Sequence, residues 1–341
     1  MCMPGRANRA SASPSSSVGS GRVPSEPLPI EEIRAARERI RGAALRTPLL
    51  QLDAGDGTAE IHLKLENLQP IGSFKLRGAG NAMALAGPER LARGVVTASA
   101  GNMAQGVAWI ARRLGVPCRV LVPDHAPRAK LDAIRRLGGE VVAVPFDAWW
   151  RVIETHEAPG LEGFFLHPVC DRAVIAGNGT IGLEILEDLP GVDAVIVPYG
   201  GGGLSAGIAS ALRALRPEAR VYACEVATAA PLAASLAAGE PRPVEYTPSF
   251  VDGIGGKGLL EEMWPLVSGL LAGSLVVSLE QVAAAVRTLV ARARVVAEGA
   301  GAAPVAAALA GLAPGARICC VVSGGNLDAA VLARILAGET P

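Results

Sequence analysis

From residue 61 to the C-terminal end, short runs of β-branched residues alternate with alanine- and leucine-rich stretches of helical length. Strands are predicted at 61–65, 94–98, 119–122, 140–144, 194–198, 219–224, 274–277 and 317–322. Helices are predicted near 73–86, 101–114, 127–137, 180–188, 204–216, 279–297 and 328–337. A further helix opens after Pro29, where Ile30, Ile33 and Ile40 fall near helical spacing. Glu31 and Glu32 occupy its first turn and Gly42 stops it. A strand that feeds a helix returns beside its predecessor in parallel, so the fold class is α/β, with parallel sheets covered on both faces. No period of 20–50 residues recurs, which excludes a solenoid.

With 341 residues the chain can build one large domain or two modest ones. Lys+Arg and Asp+Glu both total 32, so there is no net basic face for nucleic acid or an anionic membrane surface. Neither partner is expected. Six cysteines show no C-x-x-C spacing and the four histidines no H-E-x-x-H, so neither a disulfide framework nor a zinc site is supported. Free thiols suit a reducing compartment, and a cytoplasmic location is expected. The uncharged stretch from Gly299 to Ala316 is too alanine- and glycine-rich for a membrane span. Residues 1–27 are rich in Ser, Pro, Ala and Gly, carry Arg6, Arg9 and Arg22, and hold no acid before Glu26; they read as a disordered extension.

The strongest local signal runs from Val197 to Gly207 (VPYGGGGLSAG). An apolar strand enters four consecutive glycines, Gly200, Gly201, Gly202 and Gly203, and passes straight into a helix that opens with Leu204. Glycine lets the backbone curl until several N–H groups converge, and the helix N-terminus adds a positive dipole end. Such a junction is an anion cradle, most naturally for phosphate. The same stretch also satisfies a dinucleotide fingerprint (Gly201, Gly203, Ala206), with Glu225 about twenty residues later in the place of a ribose-binding acid. Taken alone, it does not separate a phosphate cofactor from NAD.

Lysine usage separates them better. Only Lys64, Lys75, Lys130 and Lys257 are lysine; the other 28 basic residues are arginine. Lys75 lies in Gly72 to Gly78 (GSFKLRG), in the first turn of a predicted helix with Ser73 as N-cap, where a cation opposes the dipole. A primary amine can form a Schiff base and can lose its proton; a guanidinium does neither. Burial and the dipole lower its pKa, as a nucleophile requires. Lys64 reads as a structural strand residue, Lys130 as an ordinary surface lysine, and Lys257, in a glycine-rich loop, as the one competitor. Two more loops follow strands. Thr97 to Gly106 (TASAGNMAQG) opens a helix able to hold a carboxylate, and Asn102 there can donate to a phenolic oxygen. Ser323 places a neutral hydroxyl where ligands of parallel sheets bind.

Ser73–Gly78 (SFKLRG), Ser99–Gly106 (SAGNMAQG), Gly177–Ile181 (GNGTI), Gly200–Gly203 and Ser323–Asn326 (SGGN) occur in an order that resembles fold-type II pyridoxal-phosphate enzymes. The likeness, from about residue 28 onward, is to the threonine/serine dehydratase (ammonia-lyase) branch, to which serine racemases are related. It implies two parallel-sheet domains with pyridoxal 5'-phosphate between them. The larger would comprise 28–94 and 169–341, and the smaller 95–168, which would close over the substrate. It implies Lys75 as the residue that holds the cofactor aldehyde, moves the α-proton and is preceded at the cofactor by Phe74. The glycine loop with Leu204 would bind the phosphate, Asn102 the 3′ oxygen and Ser323 the pyridine nitrogen. Ser99, Ala100, Gly101, Asn102 and Met103 would clamp the substrate carboxylate.

The implied reaction is β-elimination from a 3-hydroxy amino acid, L-threonine to 2-oxobutyrate and ammonia, also L-serine to pyruvate. The implied assembly is a homodimer or homotetramer. Several residues depart from the family pattern. Ala100 stands where racemases carry a second catalytic serine, which favours elimination over racemisation. Met103 replaces a histidine, Val169 and Cys170 follow His167-Pro168 in place of a polar or aromatic pair, and Glu298-Gly299 replaces Glu-Pro. In metal-binding relatives a glutamate matching Glu225 is joined by an aspartate six residues on; here that residue is Pro231, and no metal is expected. No regulatory domain is expected beyond residue 341. The alternatives are a β-replacement enzyme of the cysteine synthase type, an amino-acid racemase on the same fold, and an NAD-dependent dehydrogenase.

Overall fold

In the computed structural model, which describes residue 21, residues 23–55 and residues 59–341, ten strands form two sheets. They are β1 (Leu49–Leu52), β2 (Glu60–Lys64), β3 (Val95–Ala98), β4 (Cys118–Pro123), β5 (Glu140–Val144), β6 (Phe164–Phe165), β7 (Ala194–Pro198), β8 (Arg220–Val226), β9 (Gly273–Val277) and β10 (Arg317–Val321). The larger sheet has the order β1-β2-β10-β7-β8-β9, the smaller β5-β4-β3-β6. Every adjacent pair is parallel except β1 with β2. The chain is therefore two parallel-sheet α/β domains, as the alternation of elements requires. Most of the extension read as disordered, residues 1–20 and 22, lies outside the described residues.

Twelve α-helices connect the described strands: α1 (Ile30–Arg39), α2 (Lys75–Leu91), α3 (Asn102–Leu114), α4 (Arg128–Arg136), α5 (Phe146–Thr155), α6 (Arg172–Asp188), α7 (Gly203–Leu215), α8 (Pro231–Ala238), α9 (Trp264–Leu270), α10 (Leu279–Thr288), α11 (Gly299–Leu309) and α12 (Ala329–Leu336). α5, α8, α9 and α11 have no predicted counterpart, and two predicted helices shift a boundary for clear reasons. α6 begins eight residues early because Asp171 caps it, accepting from the N–H groups of Ala173 (2.7 Å) and Val174 (3.3 Å). Its glycines lower helix propensity yet serve packing: a β-carbon on Gly177 would come within 2.4 Å of the Arg77 carbonyl. α10 stops at Thr288 in a π turn, and Arg294 then turns left-handed at φ 60.

Adjacent Cys319 and Cys320 on β10 point into different apolar clusters, one on each face of the larger sheet. The five described cysteines are buried free thiols. Among the described residues no helix is long and apolar enough to cross a membrane.

A buried ion network anchors α2 to β2 and α6. Arg77 donates to both oxygens of Glu66 (2.8 Å each) and of Glu184 (2.7 and 2.9 Å). Lys64, read as a strand-face residue, is fully buried within it, 2.6 Å from both Glu184 Oε2 and the Thr47 carbonyl. The position of Lys75 at the head of α2 is fixed through this network.

Candidate active site

The C-terminal edges of β3, β7 and β10 carry the three loops that the sequence singles out, and α2 brings Lys75 beside them. Lys75 and Ser323 are joined by the main chain. Phe74 N–H donates to the Ser323 carbonyl at 3.0 Å, Ser73 and Gly324 form a β-bridge, and Gly325 N–H donates to the Gly72 carbonyl at 2.9 Å. Ser73 was expected to cap α2. Instead the helix opens after Phe74 without a side-chain cap, and Ser73 Oγ is buried without a hydrogen-bond partner.

The Lys75 amine donates to the Pro168 carbonyl at 3.0 Å and lies 5.1 Å from the Phe74 ring centroid. Burial lowers its pKa from 10.5 to about 8, against smaller opposing pulls from Cys170 and Glu298. Cys170 itself is a poor anion, because burial raises its pKa strongly.

The four glycines fill the turn between β7 and α7. Gly202 is left-handed at φ +92, and a β-carbon there would come 3.1 Å from the Tyr199 hydroxyl. Beneath the turn lies Val169: a β-carbon on Gly201 would come 2.7 Å from its Cγ1. Asn178 Nδ2 donates to the Gly203 carbonyl at 3.2 Å, and Leu204 is buried in the core. The junction thus presents bare backbone at the head of α7.

At the end of β3, Ser99 Oγ accepts from Gly101 N–H at 3.2 Å, and Ala100 packs against the apolar cluster shared by α2, α3 and the smaller sheet. Met103 is buried in that cluster, so its side chain serves packing. Asn102 opens α3. Its Nδ2 donates to Glu298 Oε1 at 2.9 Å and its Oδ1 accepts from Asn326 Nδ2 at 2.8 Å.

Glu298 is the residue the motifs underrate. It is buried just before α11, and its carboxyl occupies the space where Gly324 would carry a β-carbon, 2.5 Å from that position. Burial raises its pKa from 4.5 to about 7, and Asp252 pushes the same way; Asn102 and Lys130 pull it down. One signal was available: a single acid heading the uncharged stretch that follows it.

The other candidates are engaged elsewhere or exposed. Lys130 is not a free surface lysine but pairs with Asp252 at 2.6 Å, tying α4 to the larger domain. Lys257 is exposed. Glu225 accepts from the N–H groups of Leu232 (2.9 Å) and Ala233 (2.8 Å) at the head of α8, and from Ser274 Oγ (2.6 Å). Both its oxygens are committed to the fold, which removes the ribose-binding acid of the dinucleotide reading. His156, His167 and Glu262 place ligand atoms within 4.8 Å of one another. His167 cannot join a metal there without losing hydrogen bonds, since Nε2 faces the Ile153 carbonyl and Nδ1 accepts from two backbone N–H groups.

Comparison with known proteins agrees with this geometry. Residues 40–324 match the family described as pyridoxal-phosphate dependent enzyme. The chain is 40% identical over 315 residues to an L-threonine ammonia-lyase of Thermotoga maritima, covering 91% of this chain and 78% of that one. Among solved structures, the processed form of threonine deaminase isoform 2 from Solanum lycopersicum is similar at a TM-score of 0.81 and 32% identity, covering 94% of this chain and 97% of that one. Maize serine racemase is similar at 0.81 and 32%, covering 91% and 97%.

Proposed function

This chain belongs to the pyridoxal-phosphate dependent enzymes, and from that membership we propose a threonine/serine ammonia-lyase, releasing 2-oxobutyrate and ammonia from L-threonine and pyruvate from L-serine. The observation that carries the reading is a primary amine of lowered pKa and a bare glycine cradle at a helix N-terminus resting on the same Pro168–Val169 turn, with the Ser323 main chain bonded to Phe74 beside them.

The residues present fit the cofactor. A phosphate needs convergent N–H donors and no side chain in the way, and the turn from Gly200 to Gly203 with Leu204 provides that. When bound, pyridoxal phosphate supplies an aldehyde that a primary amine can capture and a conjugated ring that acidifies the substrate α-proton. Phe74 and Lys75 deliver that amine. At a pKa of about 8, a useful fraction of Lys75 is neutral near pH 7–8, so it can act as nucleophile and then as base for the α-proton. Ser323 offers the ring nitrogen a hydrogen bond without a negative charge, which disfavours ring protonation and suits elimination. Asn102, its amide oriented by Asn326 and Glu298, offers its remaining N–H to the 3′ oxygen. Ser99, Ala100, Gly101, Asn102 and Met103 present the head of α3 to the substrate carboxylate, with main-chain donors doing the binding at Met103.

The smaller domain, 95–168, closes in this reading on the larger one, 28–94 with 169–341. The Asn102–Glu298, Lys130–Asp252 (2.6 Å) and His156–Glu262 (2.7 Å) contacts span the two. A homodimer or homotetramer in the cytoplasm completes the reading, and sedimentation and cell fractionation test it.

The deciding experiment adds pyridoxal phosphate to the purified chain and follows visible absorption and keto-acid release from L-threonine. Lys75→Ala is expected to abolish both. A colourless wild-type protein would sink the assignment. Chiral analysis of recovered L-serine tests the racemase alternative; little D-serine is expected, because Ala100 offers no base.

A further inference from the structure

Residues 166–171 connect β6 of the smaller sheet to α6 of the larger domain, and this connection, not a side chain, receives the Lys75 amine. Lys75 Nζ donates to the Pro168 carbonyl at 3.0 Å. The next residue, Val169, underlies the glycine junction: β-carbons on Gly201 and Gly203 would come 2.7 Å from Val169 Cγ1 and 3.0 Å from the Val169 carbonyl. Amine and cradle thus rest on one short turn.

That turn has an internal brace. His167 is 0% exposed, and its Nδ1 accepts from the N–H groups of Val169 (3.1 Å) and Cys170 (2.6 Å). Two donors at Nδ1 require the proton on Nε2, which donates to the Ile153 carbonyl of α5 at 3.1 Å. The ring stacks on His156 at 4.2 Å, and His156 in turn meets Glu262 of the larger domain at 2.7 Å. Burial, with smaller contributions from His156 and Lys75, holds the imidazole near a pKa of about 3, so it stays neutral and keeps this tautomer.

We propose that His167 is a positioning residue for Lys75: through Nδ1 it fixes the turn that presents the Pro168 carbonyl to the amine and seats Val169 beneath the glycine junction. The consequence for turnover rests on the reading of Lys75 above; the consequence for the amine itself does not. The groups that face Lys75 are Cys170, Glu298 and the neutral His167.

Three variants test this in the full chain: His167→Asn, whose Oδ1 can replace Nδ1 as acceptor, His167→Gln, whose acceptor lies too far out, and His167→Leu. Two readouts are taken. One is kcat and KM of the cofactor-loaded enzyme; the other is the pH midpoint for acylation of Lys75 by an amine-reactive reagent without cofactor, located by peptide mass spectrometry. His167→Asn is expected to stay within about threefold of wild-type kcat with an unmoved midpoint. His167→Gln and His167→Leu are expected to lose at least about tenfold in kcat, with KM changed less. Their midpoints should rise by about one pH unit as water reaches the amine. Asn losing as much as Leu, or midpoints unmoved in folded Gln and Leu variants, overturns the proposal. If His167→Leu does not fold, the Asn–Gln difference decides alone. Midpoints that move as expected in a chain releasing no keto acid would leave the positioning role standing and remove the ammonia-lyase reading.

Discussion

Asn102 Nδ2 donates to Glu298 Oε1 at 2.9 Å, joining the first residue of α3 in the smaller domain to the residue that precedes α11 in the larger one. Asn326 Nδ2 holds the other end of the same amide, 2.8 Å from Asn102 Oδ1. The expected cofactor contact of Asn102 is therefore oriented by two residues of the larger domain, and one of them titrates near neutral pH.

Glu298→Gln keeps an acceptor for Asn102 and removes the titration. The folded carboxyl has a pKa of about 7 against 4.5 unfolded, so the folded chain binds more protons between those values. Its contribution is fully present below 4.5 and is lost as pH rises through about 7. Thermal melts should coincide for variant and wild type below about pH 4.5, diverge as pH rises toward 7 and stay apart above it, with Glu298→Gln then higher by about 3 °C. Loss of the carboxylate also removes an upward pull on Lys75, so the basic-side rise of kcat with pH should start earlier.

Arg77→Leu removes the ion-pair partner of the buried Glu66 carboxylate and leaves that of Glu184 with Lys64 alone among the described residues. The expected cost is about 3–5 kcal/mol in denaturant unfolding, because uncompensated charge remains in the core. Arg77→Lys should cost less, since the charge stays, yet still destabilise, since a single ammonium cannot replace the fork that reaches both acids.

Gly201→Ala drives a β-carbon to 2.7 Å from Val169 Cγ1 and must displace either the junction or the turn beneath it. An overpacking cost of about 1–3 kcal/mol is expected. Pyridoxal phosphate affinity should fall about tenfold or more in a titration of visible absorbance. Gly258→Ala is the matched control: nothing lies within 4 Å of its β-carbon, and its effect should stay within about 0.5 kcal/mol.

Lys64→Arg tests whether charge alone matters at a site that looks like an open strand face in the sequence. The side chain is 0% exposed between Glu184 and the Thr47 carbonyl, and a guanidinium is larger and wider. Chemical denaturation should show a loss of about 1–3 kcal/mol, not neutrality.

The elements that could be read were those whose own residues carry the period. β5 and β7 match their expected bounds, and α3 and α7 begin within one residue of them. β1 and β6 have only four and two residues and no clean alternation. α11 is buried over most of its circumference and so has no polar face to betray it. α5 has no counterpart among the predicted helices. It packs Trp149 toward the smaller domain's core, while the Trp150 indole N–H donates to Glu154 at 2.7 Å.

Of the candidate site, Lys75, the four glycines, Asn102 and Ser323 stand out in the sequence because each lies in a short motif whose chemistry is local. An amine where arginine is the rule, or four glycines before a helix, carries meaning without a partner. Glu298 and the Pro168 carbonyl carry none until the chain closes. Glu298 is 196 residues from Asn102, and Pro168 is 93 from Lys75. Periodicity and side-chain chemistry are properties of single segments, so the parallel α/β architecture and the candidate amine were legible before any fold was known. Which carboxyl faces that amine, which carbonyl receives it and how far burial lowers its pKa depend on contacts between distant segments. Desolvation and long-range hydrogen bonds exist only after distant segments have met.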